Sequence, residues 1–77
     1  MYQYLSAEEQ LYSPYLGGYH SCGIAVFKVC GEQRKQIAFV SDVSVDKMFV
    51  EQLAQRCTAA QLDPIHFIDV VLDAIGR

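Results

Sequence analysis

Apolar residues recur with a period of two through the middle of the chain and with a period near 3.6 beyond Ser44. The run from Ser21 to Cys30, rich in β-branched and aromatic residues around Ile24-Ala25-Val26-Phe27, reads as a strand. Gly31-Glu32-Gln33-Arg34-Lys35 is polar, contains a glycine and reads as a hairpin loop. Gln36 to Val43 is the return strand. Alternation puts Ile37, Phe39 and Val43 on one face and Ala38, Val40 and Asp42 on the other. Both faces carry apolar side chains. Either helices cover one face and a partner or the N-terminal segment covers the other, or these strands are central. Upstream, Tyr2-Gln3-Tyr4-Leu5 reads as a short strand. Leu11 to Leu16 reads as a second strand or a loop, bent and confined to an edge by Pro14, which has no N–H to give to a ladder.

Ser44 offers an N-cap, and Asp46 places a carboxylate in the first turn of the helix expected over residues 45–60. Val45, Phe49, Val50, Leu53, Cys57 and Ala60 share one side of it; Lys47, Glu51, Gln55 and Thr58 share the other. Asp63-Pro64 is an N-cap followed by a proline at the first helical position, and Gly76 is a C-terminal stop, so a second helix is expected over 64–75. Apolar residues cover most of its circumference and leave a polar stripe of His66, Asp69 and Asp73, so burial on most sides is expected. The expected core sets Phe49, Leu53, Ile68 and Leu72 against Ile37 and Phe39. The fold class is α+β: a small antiparallel sheet of two to four strands, then a two-helix C-terminal hairpin packed on one face. Residues 1–77 form a single domain, with a tyrosine-rich segment over 1–20 and a β-hairpin over 21–43.

Composition sharpens this picture. The chain has 77 residues, 52% hydrophobic and 19% charged, which is the balance of a folded domain. A net charge of −3 opposes binding to phosphate backbones and anionic lipid. No apolar run is long enough to span a membrane. The start, Met1-Tyr2-Gln3-Tyr4-Leu5-Ser6-Ala7-Glu8-Glu9, lacks the basic-then-apolar order of a secretory signal, so a cytoplasmic location is expected. Cys22, Cys30 and Cys57 are odd in number and lack zinc-knuckle spacing, as suits free thiols in a reducing compartment.

The stretch from Val40-Ser41-Asp42-Val43-Ser44 through Leu62-Asp63-Pro64-Ile65-His66-Phe67-Ile68-Asp69-Val70-Val71-Leu72-Asp73 resembles a family of short bacterial proteins of unknown function from Gram-positive anaerobes. The Asp-x-Ser phrase and the Pro-x-His-x-x-Asp phrase carry the resemblance. It extends back to Tyr19-His20-Ser21-Cys22-Gly23-Ile24, where Cys22 stands at a position expected to hold an aromatic residue. The resemblance supports the fold and implies no activity or cofactor.

Candidate chemistry is sparse. His66, Asp69 and Asp73, three and four apart, share a helical face and could ligate a divalent metal, but a tight site needs further ligands from elsewhere, such as Asp42 or Asp46. The expectation is a solvated stripe and no metal site. Cys22 and His20 are two apart on one strand and could form a thiol–base pair, yet nothing supplies an oxyanion hole. Gly17-Gly18 lacks the other residues of a phosphate loop and reads as a turn. A helix-turn-helix reading fails because the second helix carries Asp69 and Asp73 and no Lys or Arg before Arg77. Arg34-Lys35 reads as a solvated hairpin tip. The five tyrosines, Tyr2, Tyr4, Tyr12, Tyr15 and Tyr19, all lie in the first nineteen residues. They suit an interface or a cover for the sheet of their own chain. Val70, Val71 and Ala74 are a second candidate contact surface. The expected function is a small non-enzymatic interaction or regulatory module that self-associates as a homodimer, without cofactor, nucleic acid or membrane. The rival is a metal-binding protein or enzyme using His66, Asp69 and Asp73, or Cys22.

Overall fold

A computed structural model describes residues 1–76. Strands β1 (Tyr2–Ser13), β2 (Gly17–Cys30) and β3 (Gln33–Ser44) form one antiparallel sheet in the order β1-β2-β3. Helix α1 (Lys47–Ala59), a 3-10 turn at Pro64–His66 and helix α2 (Phe67–Ile75) follow. The α+β architecture is therefore a three-stranded sheet with two C-terminal helices against one face. No helix among the described residues is long and apolar enough to cross a membrane.

Turn chemistry sets the strand lengths. Residues 2–13 form one strand rather than two pieces, because Pro14 falls in the loop, where its missing N–H is not needed. Pro14-Tyr15-Leu16 joins Ser13 to Gly17, whose φ of +74° closes the turn. Cys30 pairs with Gln33 across only Gly31 and Glu32. Gly31 has φ +60° and Glu32 does not share it, the pattern of a type II′ turn. Gln33, Arg34 and Lys35 thus belong to β3 and not to a loop.

The covered face holds Cys22, Ile24 and Val26 of β2, with Tyr4 opposite Val26 on one side and Ala38 and Val40 opposite Val26 and Ile24 on the other. Val50, Leu53, Ala54 and Cys57 of α1, and Phe67 and Val71 of α2, complete the core with Val43. This corrects the expected packing. Leu53 is buried and Phe49 packs at the margin, but Ile37 and Phe39 lie outside the core. The face assignment turned on β2: its apolar set of Cys22, Ile24 and Val26 faces the helices, and the register places the even-numbered Ala38 and Val40 beside it. A bulge between Val26 and Phe27 interrupts the β3 alternation near Ile37.

The helices also begin later than expected. Asp46, not Ser44, caps α1: its Oδ1 accepts from Phe49 N–H at 3.2 Å, while Ser44 Oγ accepts from Asp46 N–H at 3.1 Å. Val45 therefore precedes the helix and is exposed. Asp63 Oδ1 accepts from Ile65 N–H at 3.0 Å, but Pro64 leads a 3-10 turn instead of a full α-turn. That tighter winding shifts the phase of α2. Phe67 and Val71 point into the core, and Ile65, Ile68, Leu72 and Ile75 line an exposed stripe. The second helix is thus covered on one side only.

Tyr4 joins the layers. It is 2% exposed, its ring centroid lies 5.0 Å from that of Phe67, and its hydroxyl donates to Leu62 O at 2.5 Å. Burial, with smaller contributions from Cys57 and Asp63, pushes its hydroxyl up to about 12.

Two outcomes test this packing. Leu53→Ala lowers stability by about 2–4 kcal/mol in urea unfolding, whereas Leu72→Ala, at a site 57% exposed, costs under ~1 kcal/mol. Equal losses would place α2 in the other phase. Because the folded pKa of Tyr4 is raised above its unfolded value near 10, its contribution is intact below about pH 10 and is lost as pH climbs through about 12. Alkaline unfolding curves of Tyr4→Phe therefore lack part of the wild-type fall in stability over that window.

Candidate functional site

With both helices on one face, the opposite face of the sheet is left uncovered. Leu5, Ala25 and Phe39 are register partners and form a row across all three strands, and Phe27 lies opposite Gln3 on the same face. Leu5 and Phe39 are both large hydrophobics more than one-third exposed, Phe39 at 41%.

Gly23 sits opposite a bulge in β3, where residues 41–43 have no register partner, and a side chain there has no room. A Cβ at this position would lie 2.5 Å from Val40 O, 2.9 Å from Phe39 Cζ and 3.1 Å from Glu9 Oε2. Its absence lets the Phe39 ring and the Glu9 carboxylate lie down over β2. Glu9 is tied in place from β3: Ser41 Oγ donates to Oε1 and Asp42 N–H to Oε2, both at 2.8 Å. Asp42 adopts φ +55°. Its carboxylate accepts from Ser21 Oγ at 2.5 Å and Tyr19 Oη at 2.9 Å, which holds it below its ordinary range. At the other end of the face the Arg34 guanidinium lies 4.5 Å from the Phe27 ring centroid and donates to Gln3 Oε1 at 3.1 Å. An apolar row is thus bracketed by an oriented cation and an oriented carboxylate.

The tyrosines do not form one surface. Tyr4 lies in the core and is withdrawn from any partner, Tyr2 is half-buried beside it, and Tyr19 is engaged with Asp42. Tyr12 and the 95%-exposed Tyr15 stand at the tip of the β1–β2 ribbon, beyond the point where Ser44 ends the pairing of β3 with β2. Val71 is buried; Val70 and Ala74 line a groove of ≈ 420 Å³ between the helices with Leu53, Arg56, Cys57, Ala60, Leu62 and Asp73. His66, at the end of the 3-10 turn, and Asp69 and Asp73 on α2 are all exposed, and no three His, Cys, Asp or Glu side chains among the described residues converge to hold an ion. Asp42 and Asp46 do not join that stripe: one is bound to Ser21 and Tyr19, the other caps α1.

Cys22 and His20 share a face near Glu8 and Lys47, which pair at 2.8 Å on the surface. The pairing does not activate the thiol. Cys22 is buried, and burial followed by the nearby Glu8 carboxylate raises its pKa, the reverse of what a nucleophilic cysteine needs.

The sequence pattern does not single out Glu9, Leu5 or Phe27, and it reads Arg34 only as part of a solvated hairpin tip. A lone glycine inside an otherwise good strand was the available signal: at Gly23 it marks a bulge and the close approach of neighbouring groups.

The fold and this face define a small α+β protein with a half-covered sheet. The chain belongs to the family of unknown function DUF6514, whose model matches residues 2–77. Comparison with curated proteins and with solved structures returned no match.

Thiol accessibility checks the site geometry. Cys30 is exposed, whereas Cys22 and Cys57 are buried with thiols raised by burial. Ellman's reagent on the native protein titrates one thiol rapidly and the other two only in denaturant. Rapid reaction at Cys22 would reopen the case for a reactive cysteine.

Proposed function

We propose that this protein is a non-enzymatic interaction module of the cytoplasm that associates with a second copy of itself through the open face of its sheet. The observation carrying this reading is the sheet face that neither helix covers, where Leu5 and Phe39 are 38% and 41% exposed on either side of a buried Ala25, with a half-buried Phe27 beside them. An apolar sheet face in water is unfavourable in proportion to its area, and contiguous exposed patches of a few hundred Å² or more mark contact sites. A homodimer covers such a face with a single self-complementary surface. Three free cysteines without a disulfide fit a reducing compartment.

The exposed stripe of Ile65 in the 3-10 turn and Ile68, Leu72 and Ile75 on α2 is the competing contact surface. Sedimentation across a range of concentrations, with one variant on each surface, separates the two. The wild type forms a dimer at tens of micromolar, Phe39→Glu abolishes it, and Leu72→Glu leaves it intact. The opposite pattern would move the contact to α2, and a wild type that stays monomeric throughout would sink the reading.

A further inference from the structure

The two charges that bracket the open face constrain how a second copy sits on it, an inference that rests on the self-association proposed above. Neither charge belongs to β2, yet both are carried over it: Arg34 onto the Phe27 ring and Glu9 onto Gly23. Phe27 and Gly23 are four residues apart on one face of the strand, about 13 Å, with Ala25 midway between them. Each charged group is already oriented, Arg34 by Gln3 and Glu9 by Ser41 and Asp42. Among the described residues neither makes an ion pair. The carboxylate has acceptor positions to spare and the guanidinium has further donors.

The geometry points to a two-fold dimer whose axis runs along the Leu5–Ala25–Phe39 row, stacking two sheets face to face with their strands reversed and setting Arg34 of each copy against Glu9 of the other. An axis across the strands reverses strand direction between copies while keeping β1 over β1 and β3 over β3. The basic end of one face then meets the acidic end of the other, twice. The alternative face-to-face axis, along the strands, stacks Arg34 on Arg34 and Glu9 on Glu9, and like charges so placed oppose association. Packed sheets lie about 10 Å apart with strand directions within about 30°. A charge roughly 7 Å from the axis is displaced only ~3–4 Å by such a crossing, within the reach of an arginine side chain. Three strands over about ten residues present roughly 500 Å² per copy. The pair buries about 1,000 Å², the lower bound for a specific interface.

Sedimentation equilibrium of the full chain tests this register, with circular dichroism melts confirming that each variant is folded. R34E weakens the wild-type dimer at least tenfold, because the introduced carboxylate meets Glu9 of the other copy at both ends. E9R weakens it likewise. An equimolar mixture of R34E and E9R recovers a dimer within threefold of wild-type affinity, since every contact across it is again between opposite charges. Should E9R fail to fold, a short bismaleimide reads the same axis: L5C in a C30S background cross-links to its own copy, while V29C in the same background, on the same open face but four residues along the strand from Ala25, does not. A monomeric wild type would refute self-association itself. A wild-type dimer indifferent to R34E, unrestored in the mixture, or cross-linked through position 29 and not through position 5, would overturn the register and leave self-association standing.

Discussion

The edge of β1 is the constraint on which the rest of this small protein depends. An outer strand presents unpaired N–H and C=O groups that must find partners or face water. At the start of β1 the C-terminal end of α1 supplies those partners through two side chains. Thr58 Oγ1 accepts from Tyr4 N–H at 2.8 Å and donates to Tyr4 O at 3.2 Å. Gln61 Oε1 accepts from Tyr2 N–H at 2.8 Å, and its Nε2 donates to Tyr2 O at 2.9 Å. Two side chains thereby do what a fourth strand would do. Gln61 achieves this from φ +49°, the left-handed position that follows a helix end. Leu62 N–H returns to Cys57 O and Gln61 N–H to Thr58 O, the bond pair that closes such an end. A glycine would adopt that φ more easily but would leave Tyr2 unpartnered.

Fixing β1 to the end of α1 also fixes which face of the sheet is covered. Tyr4 must then point inward, where its hydroxyl meets Leu62 O and its ring meets Phe67, so α2 docks on the same side as α1. Two helices totalling few turns cannot wrap a sheet whose longest strand has 14 residues. The opposite face stays open, and so does the outer side of α2. A chain of this length buries a smaller fraction of its surface than a larger domain does. The apolar residues that the sequence places on both sides of the hairpin therefore cannot all be covered from within.

The sequence was legible where local chemistry decides the structure and illegible where long-range register does. The change of period at Ser44, the Asp63-Pro64 start and the glycine turns were sufficient to place three of the element boundaries closely and the α+β order correctly. Gly31 was recognised as a turn residue, but its two-residue loop was read as five residues, because Arg34 and Lys35 look like loop residues until they are seen paired with Val29 and Lys28. Over residues 37–40 the faces of β3 are the reverse of the expected ones, although Val43, grouped with Ile37 and Phe39, does lie in the core. Alternation fixes which residues share a face, not which face meets the helices, and a bulge near Ile37 disturbs the count. The phase of α2 was missed because three residues of 3-10 winding rotate everything after them. Tyr4 shows the same limit in the candidate site. Its side chain is identical to those of Tyr12 and Tyr15, and only the tertiary partners Leu62 and Phe67 distinguish a core tyrosine from two exposed ones.

The same features explain why a face, rather than an edge, is the surface proposed for self-association. Strand addition needs a flat run of unpaired backbone on an outer strand. On β1 that run is interrupted at Tyr2 and Tyr4 by Thr58 and Gln61. On β3 it is interrupted twice: by the bulge near Ile37, and by Asp42, whose φ of +55° turns the backbone and whose N–H is taken by Glu9. Arg34 and Lys35 add two positive charges to the same edge, which would repel their own copies in an antiparallel pairing centred there. The β3 edge and the start of the β1 edge are thus poor templates, while the face between them is apolar at its centre and oppositely charged at its ends. On this face the charges lie directly against the apolar groups, Arg34 on the Phe27 ring and Glu9 beside the Phe39 ring over Gly23, so in the proposed dimer affinity and orientation are coupled rather than set independently.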